Sequence, residues 1–404
     1  GIAKEDLARL AKPFEQVEWV RGLVDRTTLP AAEGVPFVTL LDTGVNRAHP
    51  LLRQLVDEAD LHAVRAEWLA IDRDGHGSGM AGMALHGDLR APLTSQSDNV
   101  LNHRLESVKI LPDVGVTPPR LYGWTATEAI RLVEEAAAGR KRIFAMMTTS
   151  SGATAGKPSE WSATIDRLAF GLRGDSLTPL DLPEVEGLTP VLTPRLFVVA
   201  AGNVSWNHWH EYPFRNDLET IEDPAQSWNA LTVGAFTEQV EFNRTRWPSL
   251  STIAPHGALE PASRTSVNWS RSWPHKPDVV AEGGNGCLDA RMVQSVVVGP
   301  EDVRMLTTSH DPAISLIAET GDTSAATAEV ARLCAHLHHR YPTYWPETIR
   351  ALVVHGADYT TAMRAGMSIV PTQLERESLV GRYGYGRVRL DSSINSSPRR
   401  PVIV

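Results

Sequence analysis

Residues 36–44 read PFVTLLDTG, an almost unbroken apolar run that stops at Asp42 and turns on a Thr-Gly pair. A strand with one face in water alternates apolar and polar side chains, and this run does not. Continuous apolarity over so short a stretch belongs to a strand buried on both faces, as in a parallel sheet covered by helices. Five further runs share the character: SVKIL (107–111), IFAMM (143–147), RLFVVAA (195–201), ALTVGA (230–235) and PDVVA (277–281).

Helical patterns lie between these runs. TATEAIRLVEEAAAG (125–139) carries a Thr125/Glu128 capping box and a Gly139 stop, PSEWSATIDRLAFG (158–171) is similar, and PETIRALVVHG (346–356) opens on Pro346. Alternating strands and helices predict an α/β fold, a doubly wound and mostly parallel sheet flanked by helices. Residues 1–35 read as a helical leader or arm, 36–395 as one domain and 396–404 as a tail. Stretches 88–104, 172–194, 238–275 and 283–316 are rich in Pro, Gly, Ser and charge, and read as surface insertions.

The chain has 404 residues, 42% of them hydrophobic and 22% charged, an ordinary globular composition. A net charge of -9 argues against a nucleic-acid or anionic-membrane partner, because both need clustered Lys and Arg. Two cysteines, Cys287 and Cys334, make no disulfide framework. No apolar run approaches the roughly 20 residues that span a bilayer. The start lacks an apolar signal core, so a cytoplasmic protein is expected, or a secreted one if a signal or propeptide has been removed.

In doubly wound sheets the working groups collect where strands exit at their carboxyl ends. Asp42 stands at the first such exit, and Asn203 follows the run at 195–201. His76, in DRDGHGSGMAGMALHG (72–87), precedes an apolar helical pattern. Ser324, in GDTSAATAEVARLCAHL (321–337), opens another whose core face carries Val330, Leu333, Cys334 and Leu337. Together these are the parts of an acyl-transfer site. A hydroxyl beside an imidazole is an activated nucleophile, a buried carboxylate holds the imidazole in one tautomer, and a side-chain amide with a helix-starting N–H serves a developing oxyanion.

The motifs D-T-G (42–44), H-G-S-G-M-A-G (76–82), A-A-G-N (200–203) and T-S-A-A (323–326), with KPDVVAEG (276–283) and GYGRVRLD (384–391), resemble those of the subtilisin-like serine proteases, the subtilases. The resemblance implies a serine endopeptidase of subtilisin fold. In it Ser324 is the nucleophile, His76 the general base and acid, Asp42 the residue that orients it, and Asn203 the oxyanion donor. It also implies that Thr149, Ser150, Ser151 and Gly152 pair with the substrate backbone, and that Ala200, Ala201 and Gly202 wall the primary specificity pocket. The partner is then a protein or peptide substrate, with no cofactor required. Subtilases often hold structural calcium, but no acidic loop here has recognisable ligand spacing, so no metal site is assigned. The surroundings of the motifs, HRLESVKIL above all, resemble bacterial intracellular subtilases encoded beside AAA-type ATPases, which implies an ATPase partner.

Two positions depart from the family. Asp322 replaces the Gly before Thr-Ser, and Ala328 replaces the Pro four residues after the serine. Asp tolerates unusual backbone angles, so the first exchange is either harmless or a source of negative charge that raises the pKa of His76 or disfavours acidic substrates. The alternative function is a catalytically silent pseudoprotease that binds a peptide or partner. An α/β-hydrolase is disfavoured by the absence of a G-x-S-x-G elbow at Ser324 and by the chain order. The HLHH run at 336–339 reads as a polar helix end rather than a metal site, and SWNHWH at 205–210 as either a pocket lining or an aromatic packing loop.

Overall fold

Strand β1, Phe37–Asp42, is buried along its whole length and accepts strands on both edges: β3, Arg104–Lys109, pairs in parallel on one side and β4, Arg142–Met146, on the other. These are elements of a computed structural model that describes residues 13–31, 33–152, 156–172, 192–270, 272–291 and 295–394. Short strand β2, Leu61–Ala63, extends the sheet beyond β3. Beyond β4 lie β5, Leu196–Ala200, then β6, Leu231–Thr237, which pairs in parallel with β8, Val279–Glu282, and antiparallel with β7, Ala258–Leu259. From β1 the chain builds outward first to one side and then to the other, so β1 marks the switch point where crevices form.

The two faces of β1 look into different cores. Val38 and Leu40 pack in a cluster with Met80 and Met83 of helix α2, His76–His86, and with Val330 and Leu333 of helix α5, Asp322–Arg340. Leu41 joins Ile130 and Val133 of helix α3, Tyr122–Ala136, and Ile165 and Leu168 of helix α4, Glu160–Phe170. Each fully buried Leu or Ile in these layers contributes on the order of 2 kcal/mol of transfer free energy. Helix α1, Pro13–Asp25, buries Val20 and Leu23 against Leu306 and Leu316.

Several elements differ from what the sequence predicts. The run at 107–111 is a strand from Arg104, because Glu106, wholly buried, is held by Arg142, Arg140 and the Thr39 hydroxyl. Lys109, also buried, reaches the Ile71 carbonyl and Asp113. Paired charges share that strand with the buried apolar Leu105 and Val108. The Thr125/Glu128 capping box does not form: α3 starts three residues earlier at Tyr122, and Glu128 pairs with Arg131. A capping box does open α4, between Ser159 and Ser162.

The insertion 283–316 is not merely surface. Its strand Met305–Thr308 forms a hairpin with Ile317–Thr320, and the buried hydroxyls of Thr307 and Thr308 donate to the carbonyls of Gly79 and Ser78 on α2. A Cβ on Gly82 would stand 2.5 Å from both hydroxyls, so the glycine in MAG is what lets the hairpin close on the helix. In the insertion 88–104, Leu89, Leu93 and Leu101 are buried. Most of the stretch at 172–194, and the tail from 395, lie outside the described residues. In SWNHWH, Trp209 is a packing residue: it sits on Val204 and Ala262 and donates to the Val204 carbonyl.

Three buried histidines make the stability of the fold depend on pH. His49, His86 and His103 are buried, each with a ring nitrogen on a backbone carbonyl oxygen, of Leu316, Leu51 and Ala84 respectively. Burial pushes them down, to about 4 for His49 and His86 and about 3 for His103. The unfolded chain therefore binds these protons first. Their contribution to stability is complete above pH 6.5, the ordinary value, and is lost as pH falls toward 4. Denaturant titration between those limits is expected to show a loss of at least about 3 kcal/mol, and His103→Gln is expected to flatten the slope.

Candidate active site

Each of the four chemical side chains is placed by a strand exit or a helix start. Asp42 ends β1 and is fully buried; its Oδ1 accepts from the Thr43 N–H at 2.7 Å and meets His76 Nδ1 at 2.8 Å. His76 is the first residue of α2. The loop before it is wound around buried Asp72, whose carboxylate accepts from the N–H groups of Asp74, Gly75 and Ser78 and from the Thr43 hydroxyl. Thr43 in turn accepts from the Gly77 N–H at 2.8 Å. The spacing in DRDGHG is thus that of a carboxylate capping the helix on which the imidazole stands. Neither Asp72 nor Thr43 was singled out by the sequence reading, although an Asp two residues before D-G-H was the available signal.

Ser324 lies in the first turn of α5, where backbone N–H groups have no partner within the helix. Asp322 N–H donates to the Gly283 carbonyl, Thr323 N–H to Asn203 Oδ1, and Ala325 N–H to the Gly321 carbonyl. The Ser324 hydroxyl donates to the Met147 carbonyl at 3.3 Å. Asn203 is fixed by its oxygen: Oδ1 also accepts from the buried Thr323 hydroxyl at 2.7 Å. The NH2 end is then the one left to serve a ligand. Thr323, in T-S-A-A, was not expected to orient Asn203.

His76, Asn203, Ser324 and Thr149 border one cleft of about 360 Å³, whose far wall is apolar, with Ile110, Leu111, Met146 and Trp161. The other expected binding residues do not line it. Ala200, Ala201 and Gly202 are buried beside it, and Ser151 and Gly152 are exposed. Ser150 has both backbone groups on Asp223, at 2.8 Å and 3.2 Å. Among the described residues, no three His, Cys, Asp or Glu side chains gather as a metal cluster. No helix among them is long and apolar enough to cross a membrane.

The electrostatics at His76 are a contest. Burial pushes the imidazole down, but the charge and hydrogen bond of Asp42, with the charges of Asp74 and Asp72, outweigh it and carry the group up to about 9. Asp322 does not take part in this way. Its backbone is left-handed, with φ 62°, and its carboxylate is turned to buried Arg304 at 2.9 Å. The pair tethers the turn that leads into Ser324. A proton on His76 blocks a general base, so kcat/KM is expected to rise along a limb well alkaline of pH 6.5. Removing a neighbouring negative charge favours the neutral ring. A pH–rate series should therefore find the limb moved to lower pH in Asp74→Asn and unmoved in Asp322→Gly.

Comparison with known proteins gives the family and the fold. The model of the subtilase family matches residues 34–386. Among solved structures, sphericase aligns with a TM-score of 0.55 at 19% identity, covering 92% of this chain and 96% of that one. A psychrophilic protease aligns at 0.54 with 18% identity, covering 92% and 96%. The epidermin leader peptide processing serine protease of Staphylococcus aureus aligns at 0.54 with 15% identity, covering 94% and 80%. No curated protein sequence matches the chain. These likenesses carry the fold, and the match over most of the length carries the family: the chain belongs to the subtilases and is a serine-type endopeptidase.

Proposed function

We propose that the chain hydrolyses peptide bonds through an acyl-enzyme on Ser324. The observation that carries this reading is the meeting of His76, Asn203 and Ser324 on one cleft, with Asp42 behind His76 at 2.8 Å. The Ser324 hydroxyl turns from the Met147 carbonyl toward the imidazole and attacks the substrate carbonyl carbon as His76 takes its proton. Asn203 Nδ2 and the Ser324 N–H, the donor of the first turn left over by Asp322, Thr323 and Ala325, receive the oxyanion. His76 then protonates the leaving amine, and water repeats the cycle on the ester. Asp42 holds the ring nitrogen Nδ1 protonated throughout.

The peptide lies along the segment 149–152. Because successive residues of an extended chain point their backbone groups to opposite sides, Ser150 spends its pair on Asp223 while Thr149 and Ser151 offer theirs to substrate. An AAA-type ATPase partner and a cytoplasmic site of action rest on resemblance and composition; a pull-down from the host that recovers no ATPase would remove the first. A fluorophosphonate, which reacts only with an activated serine, tests the chemistry. It is expected to label the intact chain and not Ser324→Ala. An unlabelled intact chain would favour the silent, peptide-binding alternative.

A further inference from the structure

The space that Ala200, Ala201 and Gly202 were expected to wall is occupied by a carboxylate. Gly202 has φ 96°, and a Cβ there would lie 2.5 Å from both Cγ and Oε2 of Glu222. On the opposite wall the Thr149 hydroxyl donates to Glu222 Oε2. The Glu222 side chain, one-tenth exposed, therefore spans the gap between the two segments that flank the entering peptide, just behind Asn203.

Its counter-ion, Arg264, is shared with a second carboxylate. Arg264 meets Glu222 at 3.0 Å, and the same nitrogen meets Glu219 at 2.8 Å, while Glu219 is also paired with Arg215 at 2.5 Å. The remaining Arg264 contacts go to the carbonyls of Asn203 and Thr220, at 3.0 Å and 3.1 Å. The floor carries accepting oxygens, Glu222 Oε1 facing Arg264 and Oε2 facing the Thr149 hydroxyl.

We propose that Glu222 is a specificity-determining residue of this protease, selecting a lysine or arginine on the amino side of the scissile bond. A slender cationic side chain enters from the cleft beside Thr149 and ends on the Glu222 carboxylate, an oxygen acceptor for an ammonium or guanidinium group. An acidic residue meets like charge, and an aromatic one meets the Glu222 methylenes. The inference rests on the peptidase reading of the same cleft.

The test is cleavage of peptides that differ only at that position, carrying Lys, its near-isosteric neutral counterpart Met, Ala, Phe or Glu, with fluorophosphonate labelling run in parallel. Lys is expected to exceed Met in kcat/KM by at least about tenfold, with Phe and Glu poorest. Glu222→Gln keeps the shape and removes the charge, so it should bring the Lys-to-Met ratio close to one; Glu222→Ala should gain Phe. A wild-type preference for Ala, Met or Phe overturns the inference, as does an unchanged ratio in Glu222→Gln. The wild-type profile decides alone should the variants not fold. Absence of both cleavage and labelling in the intact chain overturns the peptidase reading itself, whereas labelling with the wrong profile overturns only the role of Glu222.

Discussion

His76→Ala and Ser324→Ala will each lower kcat on a peptide substrate by about a millionfold, and the double variant will lose little more. The magnitude is that known for subtilisin itself, not one obtained from this structure. The reason for the missing additivity is visible in the geometry. Asp42 is wholly buried, its Oδ1 divided between Thr43 N–H and His76 Nδ1, so the imidazole has one orientation and one tautomer. Without the ring the hydroxyl is an ordinary alcohol, and without the hydroxyl the ring has nothing to activate. Asp42→Asn should cost less, about ten-thousandfold, because the ring stays in place and the wrong tautomer faces the serine. Steady-state kinetics on the three single variants and the double variant check this. If the losses in His76→Ala and Ser324→Ala multiply in the double variant, the two residues do not act as a unit and the proposed mechanism fails.

Some of this was legible in the chain because local chemistry dictated it. The runs around Phe37–Asp42, Arg142–Met146 and Leu196–Ala200 are buried on both faces, and burial on both faces leaves an apolar signature that needs no knowledge of neighbours. The positions of Asp42 and Asn203 followed, since strand exits in such sheets share one edge. Arg104–Lys109 hid its start because its buried charges are satisfied by residues far along the chain, Glu106 by Arg142 and Arg140. Thr125 looked like a cap because α3 begins after Leu121 with no side-chain cap to announce it. The supporting shell of the site was illegible for the same reason as Glu106. Asn203 and Thr323 stand 120 residues apart, and Thr149 and Glu222 stand 73 apart. A hydroxyl in a T-S pair or a glutamate in a loop carries no mark of which distant partner the fold will bring to it.

The second large effect is expected at Asn203, where replacement by Ala should lower kcat about 10²- to 10³-fold with a much smaller change in KM. The oxyanion exists only once the carbonyl has been attacked, so a donor aimed at it favours the transition state over the bound substrate. What makes the amide an effective donor is that it cannot turn. Both the Thr323 N–H at 3.2 Å and its hydroxyl at 2.7 Å donate to Oδ1, and a flipped amide would put NH2 against the N–H, which can only donate. Thr323→Val keeps the shape and the backbone donor but removes the hydroxyl, so the amide should hold its orientation less firmly and kcat should fall about tenfold. Because Thr323 acts only through Asn203, the Asn203→Ala/Thr323→Val double variant should be no slower than Asn203→Ala alone. A double variant slower by the full product of the two single losses would mean that Thr323 serves the Ser324 turn directly, and that Asn203 takes its orientation from some other contact.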